Sequence, residues 1–539
     1  MREGDMTVWT NGTVWSGRGR TRTHSLAARG GRIVALGAEA AALAPRAGEV
    51  VDLEGGFLMP SFGDGHAHPV VGGLELQGPR VRGLDTPGRV ADAVGRWARE
   101  HPEAEWIVGG GYDPTIAPGG ELDARWLDAR VPDRPVVLRA SDYHTAWVNT
   151  ETLRRAGITA DTPEPSDGVI VRRGDGAPLG TLREWGALLP VLDLAPPVTL
   201  EDRVRALSEA GRRYTVTGVT WVQDAWVDPE DVEVYRAALR RGLLRTRADL
   251  ALRAVPGAWH DQLDAFARVR AGVAEEPAAA GMLTARTVKF VVDGVVEGGT
   301  AALLAPYQDT PGECGTPTWS PAELAAGVAA FDRRGFRVHL HAIGDAAVRS
   351  ALDAVEHARR ENPAWDRRPV IAHTQLVDPR DLDRFAELGV VANLEPLWAQ
   401  YNGIQRELTI PRLGEERSCR QYPAASLRDS GARLSFGSDW PVSSHRPLDG
   451  IQVGVSRRTP AGYPPGGWLP HERIGVEEAL EAYTAGSAYQ AGAEHGWGTV
   501  TPGANADLVW LDNDPRSVDE TRIGAVAERG TWLGGERVS

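Results

Sequence analysis

The sequence has 539 residues, with 73 acidic against 59 basic side chains and a formal net charge of −14. This length exceeds what one packed core needs, so we expect a large domain of barrel size with attached segments. The acidic balance argues against a nucleic-acid partner, which would require a basic face, and the two cysteines exclude a disulfide framework.

The N-terminal residues are charged and lead into no apolar stretch. Met1–Asp5 therefore predicts no signal peptide, and the sequence contains no run of about 18 apolar residues that would predict a membrane helix. We expect a soluble, cytoplasmic protein that has no membrane partner.

Short apolar strands separated by glycine-containing turns fill residues 1–56, and the same pattern returns in residues 491–539. Neither end has enough apolar surface to fold alone. We therefore expect the two chain ends to pair into one small β-sandwich.

Between the two ends, residues 57–490 alternate apolar strand-like runs with helical patterns, which predicts βαβ units and a parallel sheet. The number of runs suits an α/β fold of the (β/α)8 TIM-barrel type. Roughly 150 residues separate the first two runs where a single βα unit needs about 30, so we expect an insertion over about 75–205. The predicted strands lie near 57–63, 219–224, 248–254, 286–293, 336–341, 369–373, 389–394 and 433–439.

Histidines and one aspartate close four of these predicted strands. His66 and His68 are two residues apart, so both side chains face the same side of a strand. His341 and His373 close the fifth and sixth strands, and Asp439 closes the last. Because active sites of barrels lie at the carboxyl ends of the strands, and neutral imidazole is a common zinc ligand, the pattern predicts a metal centre.

Lys289 lies within an otherwise apolar predicted strand, where an unpaired ammonium group is costly to bury. An ion pair with Asp293 or Glu297 is one explanation. The other is that burial lowers the pKa of the amine, which then reacts with carbon dioxide to form a carbamate able to bridge two cations. We favour the carbamate because the other rim residues are present. His339 is equally compatible with a packed or supporting histidine and with a direct role.

Further motifs accompany these residues at 60–68, 122–128, 133–136, 289–294, 341–345, 437–441 and 503–509. Together they resemble the amidohydrolase superfamily, the urease-like metal-dependent hydrolases. Within it, the sequence is similar to the amidohydrolase-3 branch, which includes YtcJ-type proteins and N-substituted formamide deformylase. The resemblance extends over nearly the whole chain.

The resemblance implies six ligands for two metal ions: His66, His68 and Asp439 for the more buried ion, His341 and His373 for the second, and carbamylated Lys289 between them. We expect two zinc ions per chain, although iron, manganese or cobalt suit similar ligands and family members with one metal exist. The implied catalytic residues are Asp439 and Lys289. A metal-bound hydroxide attacks a carbonyl, and Asp439 accepts the proton of the water and returns it to the leaving amine.

Substrate contacts are expected from the rim loops and the insertion. His144 resembles a family position that faces the pocket, although a core or surface histidine is equally compatible with its sequence. Tyr112, Asp113, Glu184, Trp398 and Tyr401 are further candidates, for which packing or capping is the alternative. Tryptophans near predicted strand ends indicate an apolar or aromatic substrate group, unless they serve only as core.

The sequence therefore predicts a metal-dependent hydrolase that cleaves a C–N bond in a small molecule, an N-substituted amide or formamide. Alternatives on the same scaffold are hydrolysis of a cyclic amide, lactone or carbamate, or deamination, although deaminases do not need the bridging lysine. A third alternative is a metal-binding sensor or scaffold without turnover. Family habit also makes a homodimer plausible.

Overall fold

The structure is a computed structural model that describes residues 6–19, 22–165 and 168–539. Met1–Asp5, from which the sequence predicts the absence of a signal peptide, lies outside the described residues. The described chain forms a central barrel, an inserted sheet that follows the first barrel strand, and two further sheets built from the chain ends.

Eight parallel strands form the barrel, and strands that are consecutive in sequence are neighbours in the sheet. The first and eighth strands approach each other where the N–H of Asp439 donates to the carbonyl oxygen of His66 at 2.7 Å. In the ladder, Lys289 is paired with His339 and Ala342 with His373. The expected (β/α)8 barrel is therefore confirmed. Its strands are Phe62–Ala67, Val219–Val227, Arg247–Arg253, Leu283–Val291, Arg337–Ala342, Val370–His373, Val391–Leu394 and Arg433–Phe436.

Helices between the strands share one apolar core with the barrel. The helix Leu200–Val216 starts at a capping box, in which Thr199 and Asp202 each accept a backbone N–H of the other. The other helices of this layer are Val232–Arg240, Trp259–Ala274, Pro321–Arg333, Asp345–Glu361, Leu382–Leu388, Ala424–Asp429, Pro447–Ser456, Val476–Glu481 and Ser487–Ala491. Within the described ranges, no helix combines the length and the apolar character needed to cross a bilayer.

Both chain ends contribute to the expected sandwich. One sheet orders Arg32–Leu36, Leu26–Arg29, Met6–Thr10 and Glu49–Asp52. The other orders Glu536–Arg537, Glu528–Leu533, Leu508–Leu511, Phe57–Pro60, Thr13–Trp15 and Arg22–Thr23. Side chains of both sheets share one apolar cluster, in which Trp9 and Trp532 meet edge to face with ring centroids 5.4 Å apart. A helix, Gly37–Leu43, packs on the first sheet.

The single strand predicted over 57–63 is wrong, because the chain divides it at Ser61. Phe57–Pro60 pairs with Leu508–Leu511 in the terminal sheet, whereas Phe62–Ala67 is the first barrel strand. The N–H of Ser61 donates to the carbonyl of Asp507, beside the terminal sheet, and the N–H of Phe62 donates to the carbonyl of Gly218, beside the barrel. One continuous apolar run thus serves two sheets, which its hydrophobicity alone could not reveal.

The insertion after the first barrel strand has a five-stranded sheet of its own. The strands are ordered Val169–Arg172, Pro178–Arg183, Thr145–Val148, Val136–Ala140 and Ile107–Tyr112. Its helices are Pro69–Glu75, Pro87–Glu100, Ala124–Asp128, Thr150–Arg155 and Trp185–Leu192. Two apolar clusters hold the sheet and the last four of these helices together, whereas Pro69–Glu75 packs against the barrel core through Val70. Several of its strand ends face the barrel cavity.

Deleting residues 497–539 should make the protein insoluble. The deletion removes Leu508–Leu511, so that Phe57–Pro60 loses its antiparallel partner and exposes an unpaired edge. The measurements are the soluble fraction after expression and the thermal melting profile. Removing only residues 536–539, which carry the short edge strand Glu536–Arg537, is the control and should leave the protein soluble. A soluble, cooperatively melting 497–539 deletion would contradict this account.

Candidate metal centre

The carboxyl ends of the barrel strands open into one cavity of about 1160 Å³. All six residues expected to bind metal line it: His66, His68, Lys289, His341, His373 and Asp439. His144, Glu184 and Trp398 line it as well. The structure thus brings together residues that are far apart in the sequence and that the sequence pattern placed at one rim.

His66, His68 and Asp439 form one group of possible ligands. The Oδ1 of Asp439 lies 3.0 Å from Nε2 of His68 and 3.7 Å from Nε2 of His66, and the three ligand atoms lie within 4.8 Å of one another. Asp439 has a φ of 50°, a left-handed backbone conformation that is uncommon for a non-glycine residue. The preceding residue, Ser438, is fixed by its N–H, which donates to Asp64 at 2.9 Å.

His341 and His373 lie beside this group. The ring centroids of His341 and His373 are 4.5 Å apart, and those of His66 and His373 are also 4.5 Å apart. The ring of Trp398 stacks on His373 with an interplanar angle of 3° and a centroid distance of 5.3 Å. His341 contacts the carbonyl of Gly294 through Nε2 at 3.3 Å. The four histidines therefore crowd into one small volume.

Glu395 and His339 are additional members of the centre. Glu395 follows the seventh barrel strand, and its Oε2 lies 2.9 Å from Nδ1 of His373. Glu395, His66 and His373 form a second group with ligand atoms within 4.8 Å of one another. Nε2 of His339 lies 2.9 Å from Nδ1 of His66. Of the two roles that the sequence left open for His339, this contact corresponds to the supporting one. Glu395 was missed, although a carboxylate directly after the buried strand Val391–Leu394 was an available signal.

The donor set suits a divalent cation. Burial, followed by the positive charge of Lys289, holds the pKa of His66 well below its ordinary value, and burial does the same for His341. These rings are therefore neutral, as metal binding requires. Oε1 of Glu395 is buried without a hydrogen-bond partner in the described part of the chain. A buried carboxylate oxygen beside neutral imidazoles is a site that a cation would satisfy.

Lys289 lies on the fourth barrel strand and is 1% exposed. Burial lowers the pKa of its amine to about 8, although the charges of Asp439, Glu395 and Asp224 act in the opposite direction. Lys289 is also the only lysine in the sequence, since all the other basic residues among the 59 are arginines. An arginine does not lose its proton, so it could not supply a neutral amine at this position as a lysine can.

The two carboxylates considered as ion-pair partners of Lys289 are engaged elsewhere. Asp293 accepts backbone N–H groups from Ile343 at 3.0 Å and Ala302 at 2.8 Å. Glu297 accepts the hydroxyl of Thr409 at 2.8 Å. Across residues 6–19, 22–165 and 168–539, no carboxylate oxygen lies within the 4.0 Å that defines an ion pair with Lys289.

The insertion adds a second polar group to the cavity wall. Nδ1 of His144 lies 2.8 Å from Oε2 of Glu184, whose Oε1 accepts the hydroxyl of Thr300 at 2.7 Å. The ring of His144 is 6.4 Å from that of His341. Burial lowers the pKa of His144, but the charge and hydrogen bond of Glu184 outweigh it and raise the pKa above its ordinary value.

Three of the predicted substrate contacts, Tyr112, Asp113 and Tyr401, do not line the cavity. Tyr112 is fully buried in the core of the inserted sheet, where its ring meets Trp147 at a centroid distance of 6.0 Å. Its strand, Ile107–Tyr112, is buried on both faces for most of its length. Alternation along the sequence therefore could not tell which side of the strand faces the cavity.

Comparison with known proteins confirms the family resemblance. The model of the amidohydrolase family Amidohydro_3 matches residues 49–539. The chain is 31% identical to Protein LONG AFTER FAR-RED 3 of Arabidopsis thaliana, covering 98% of this chain and 91% of that protein. It is 28% identical to N-substituted formamide deformylase of Arthrobacter pascens, covering 90% and 89%. An uncharacterized metal-dependent hydrolase from Pyrococcus furiosus superposes with a TM-score of 0.73 at 27% identity, covering 95% of this chain and all of that one.

Replacing Glu184 with glutamine should lower the pKa of His144. The carboxylate that raises this pKa is removed, while the burial that lowers it remains. The imidazole would then stay neutral at a pH where the wild-type ring is protonated. The measurement is a histidine side-chain NMR titration, with Glu121→Gln as the control. An unchanged His144 titration would show that the contact with Glu184 does not set this pKa.

Proposed function

Because the chain belongs to the amidohydrolase family, we propose that it hydrolyses a C–N amide bond in a small molecule, an N-substituted amide or formamide. The observation that carries this proposal is the convergence of four histidines, Asp439 and the only lysine on one cavity. A metal-binding protein without turnover would bind metal through the same ligands but would hydrolyse none of the amides proposed below.

In this proposal two divalent cations, zinc by preference, bind at the centre. His66, His68 and Asp439 would hold one, and His341 and His373 the other, with carbamylated Lys289 shared between them. Imidazole and carboxylate ligands suit zinc, and iron, manganese or cobalt would accept the same set. Glu395 is placed to fix the ring of His373 through Nδ1, which leaves Nε2 of that ring for metal.

Three properties of Lys289 support the carbamate. Its amine is buried without an ion-pair partner in the described residues, and its lowered pKa leaves a larger neutral fraction near neutral pH. Carbon dioxide reacts with the neutral amine: the nitrogen bonds to the carbon, and one proton leaves. The product is an anion with two oxygens, so it replaces an unfavourable buried cation with a group that two cations would stabilise.

A bound divalent metal would lower the pKa of a water and polarise the carbonyl of the substrate. Asp439 would accept a proton from the attacking water on a carboxylate oxygen and return it to the leaving nitrogen. Burial raises the pKa of Asp439, but His68, through a hydrogen bond and its charge, lowers it below its ordinary value. The carboxylate is therefore ionised and able to accept a proton.

The cavity wall favours a substrate with an apolar or aromatic group. Trp398, Trp226 and Trp185 all line it, and the rings of Trp185 and Trp226 are 5.6 Å apart. Aromatic rings present large apolar faces that stack on planar groups. The relative named N-substituted formamide deformylase makes formamides of aromatic amines the first substrates to test.

Asp439→Asn should keep metal but lose activity by about 10²- to 10⁴-fold, because the amide cannot accept a proton at neutral pH. The measurements are kcat/KM on formanilides and the metal content per chain. Asp92→Asn removes a carboxylate on an exposed helix face, where it contacts Arg130, and should change neither quantity. An active Asp439→Asn variant would show that another group is the base.

Lys289→Ala should lose metal and activity together, because the carbamate supplies a ligand to each ion. Acetate or propionate with excess metal should restore part of both by placing two oxygens in the vacated space. A lysine that serves only packing or charge predicts a less stable fold, with activity surviving in the folded fraction.

The single lysine also makes a direct measurement possible. Protein prepared with ¹³C-bicarbonate should show one side-chain carbamate resonance, which Lys289→Ala abolishes and carbon dioxide depletion weakens together with metal binding. Because no other lysine is present, only the N-terminal amine competes for this signal. Metal-loaded, active protein without the resonance would overturn the carbamate while leaving hydrolysis intact.

A further inference from the structure

The proposed reaction leaves one charged residue of the cavity wall unexplained. Arg139 lies on the inserted strand Val136–Ala140 and lines the same cavity as the histidines. Its Nη2 donates to the carbonyl of Tyr143 at 3.0 Å. Its guanidinium lies 4.5 Å from the ring centroid of Tyr143 and 5.0 Å from that of Trp185. Its Nε is buried without a hydrogen-bond partner among the residues described.

Two other arginines line the cavity, and both have a carboxylate partner. Nε of Arg253 donates to Asp228 at 2.8 Å, and Nη2 of Arg183 lies 3.9 Å from Glu121. For Arg139, no carboxylate oxygen of residues 6–19, 22–165 or 168–539 lies within 4.0 Å. Arg139 is therefore the cavity arginine whose charge the described protein does not compensate by an ion pair.

The acidic side chains near Arg139 are already engaged. The carboxylate of Glu75 accepts hydrogen bonds from two atoms of Arg82, Nε at 2.7 Å and Nη2 at 2.9 Å. Asp142 accepts the N–H of His144 at 2.9 Å. Neither can turn to Arg139 without giving up these bonds, so the guanidinium faces the cavity with hydrogen-bonding capacity to spare.

We infer that the substrate carries a carboxylate and that Arg139 binds it; this inference rests on the proposed function. A half-buried cation without a counter-ion is unfavourable, and a planar guanidinium offers paired N–H donors that match the two oxygens of a carboxylate. The aromatic faces of Tyr143 and Trp185 stabilise the cation while the site is empty. Arg139 is thus a specificity-determining residue.

A row of neighbouring rings connects Arg139 with the metal centre. Trp185 lies next to Arg139, and the ring centroid of Trp185 is 6.2 Å from that of His144. The ring centroid of His144 is in turn 6.4 Å from that of His341. The carboxylate and the cleaved amide would therefore lie at the two ends of an aromatic wall. The inference predicts an amide whose carboxylate is held away from the scissile bond by an apolar group the size of an aromatic ring.

The test compares charged substrates with neutral twins of the same shape. The pairs are 4-formamidobenzoate with 4-formamidobenzamide, and 4-(phenylcarbamoyl)benzoate with 4-(phenylcarbamoyl)benzamide, which place the carboxylate across an aromatic ring on the amine side and on the acyl side of the anilide. For wild-type protein, kcat/KM should favour the charged member of at least one pair by about tenfold or more. Equal kcat/KM values within both pairs would overturn the inference and leave the hydrolytic function standing.

Variants then assign the preference to Arg139. Arg139→Gln should reduce it to about threefold or less, and Arg139→Lys should keep part of it, because an ammonium retains charge but not the paired donors. Arg183→Gln removes one positive charge from the same wall and is the matched control, which should retain most of the preference. Equal losses in both glutamine variants would mean that overall cavity charge, rather than contact with Arg139, is responsible. Melting temperature and metal content verify that each variant is folded.

A binding measurement separates this inference from the proposed reaction. Calorimetric titration of metal-loaded protein with 4-aminobenzoate and 4-aminobenzamide should show tighter binding of the acid, lost in Arg139→Gln. If none of the four amides is hydrolysed but this preference is present, the proposed reaction fails and the carboxylate site stands. If binding shows no preference that depends on Arg139, the carboxylate site is wrong.

Discussion

The meeting of the first and eighth barrel strands is the constraint on which the site depends. The N–H of Asp439 donates to the carbonyl of His66, and Gly437 lies so close that a Cβ there would approach the His66 nitrogen to 2.7 Å. This close approach brings a carboxylate from the end of the barrel to two histidines from its beginning. A bulkier residue at position 437 would separate the two strands and with them the ligand atoms. Closure of the barrel and assembly of the centre are therefore one event.

Closure also explains why the buried groups carry unusual charge states. Neutral histidines, a lysine with a lowered pKa and ionised Asp439 are buried side by side at one end of the cavity. In such surroundings each unpaired charge is costly, whereas an arrangement of anions around cations is favourable. The side chains by themselves thus leave charges and polar atoms at the centre uncompensated. Its uncompensated groups, Oε1 of Glu395 and the amine of Lys289, are the ones a metal and a carbamate would satisfy.

Residues that act at strand ends could be predicted from the sequence, because alternation and strand order place them at a common rim. The structure places His66, Lys289 and Asp439 on one cavity, as this logic predicts. The pattern was not sufficient at two places. The apolar run at 57–63 contains two strands, one in the terminal sheet and one in the barrel. Tyr112 lies in a strand that is buried on both faces, so alternation does not show which side faces the cavity. The surroundings of Arg139 could not be foreseen, since they depend on how an inserted sheet packs over the barrel.

The barrel and the insertion divide the work of the site between them. Every proposed metal ligand comes from a barrel strand or the residues directly after it, whereas His144, Glu184 and Arg139 come from the insertion. The two parts are coupled, because Glu184 accepts the hydroxyl of Thr300 from the loop after the fourth strand. A change of substrate can arise at residues of the inserted sheet such as Arg139, which supply no proposed metal ligand. Conversely, the resemblance of the barrel motifs to a large family identifies the chemistry but not the substrate, because the residues that would choose it lie outside those motifs.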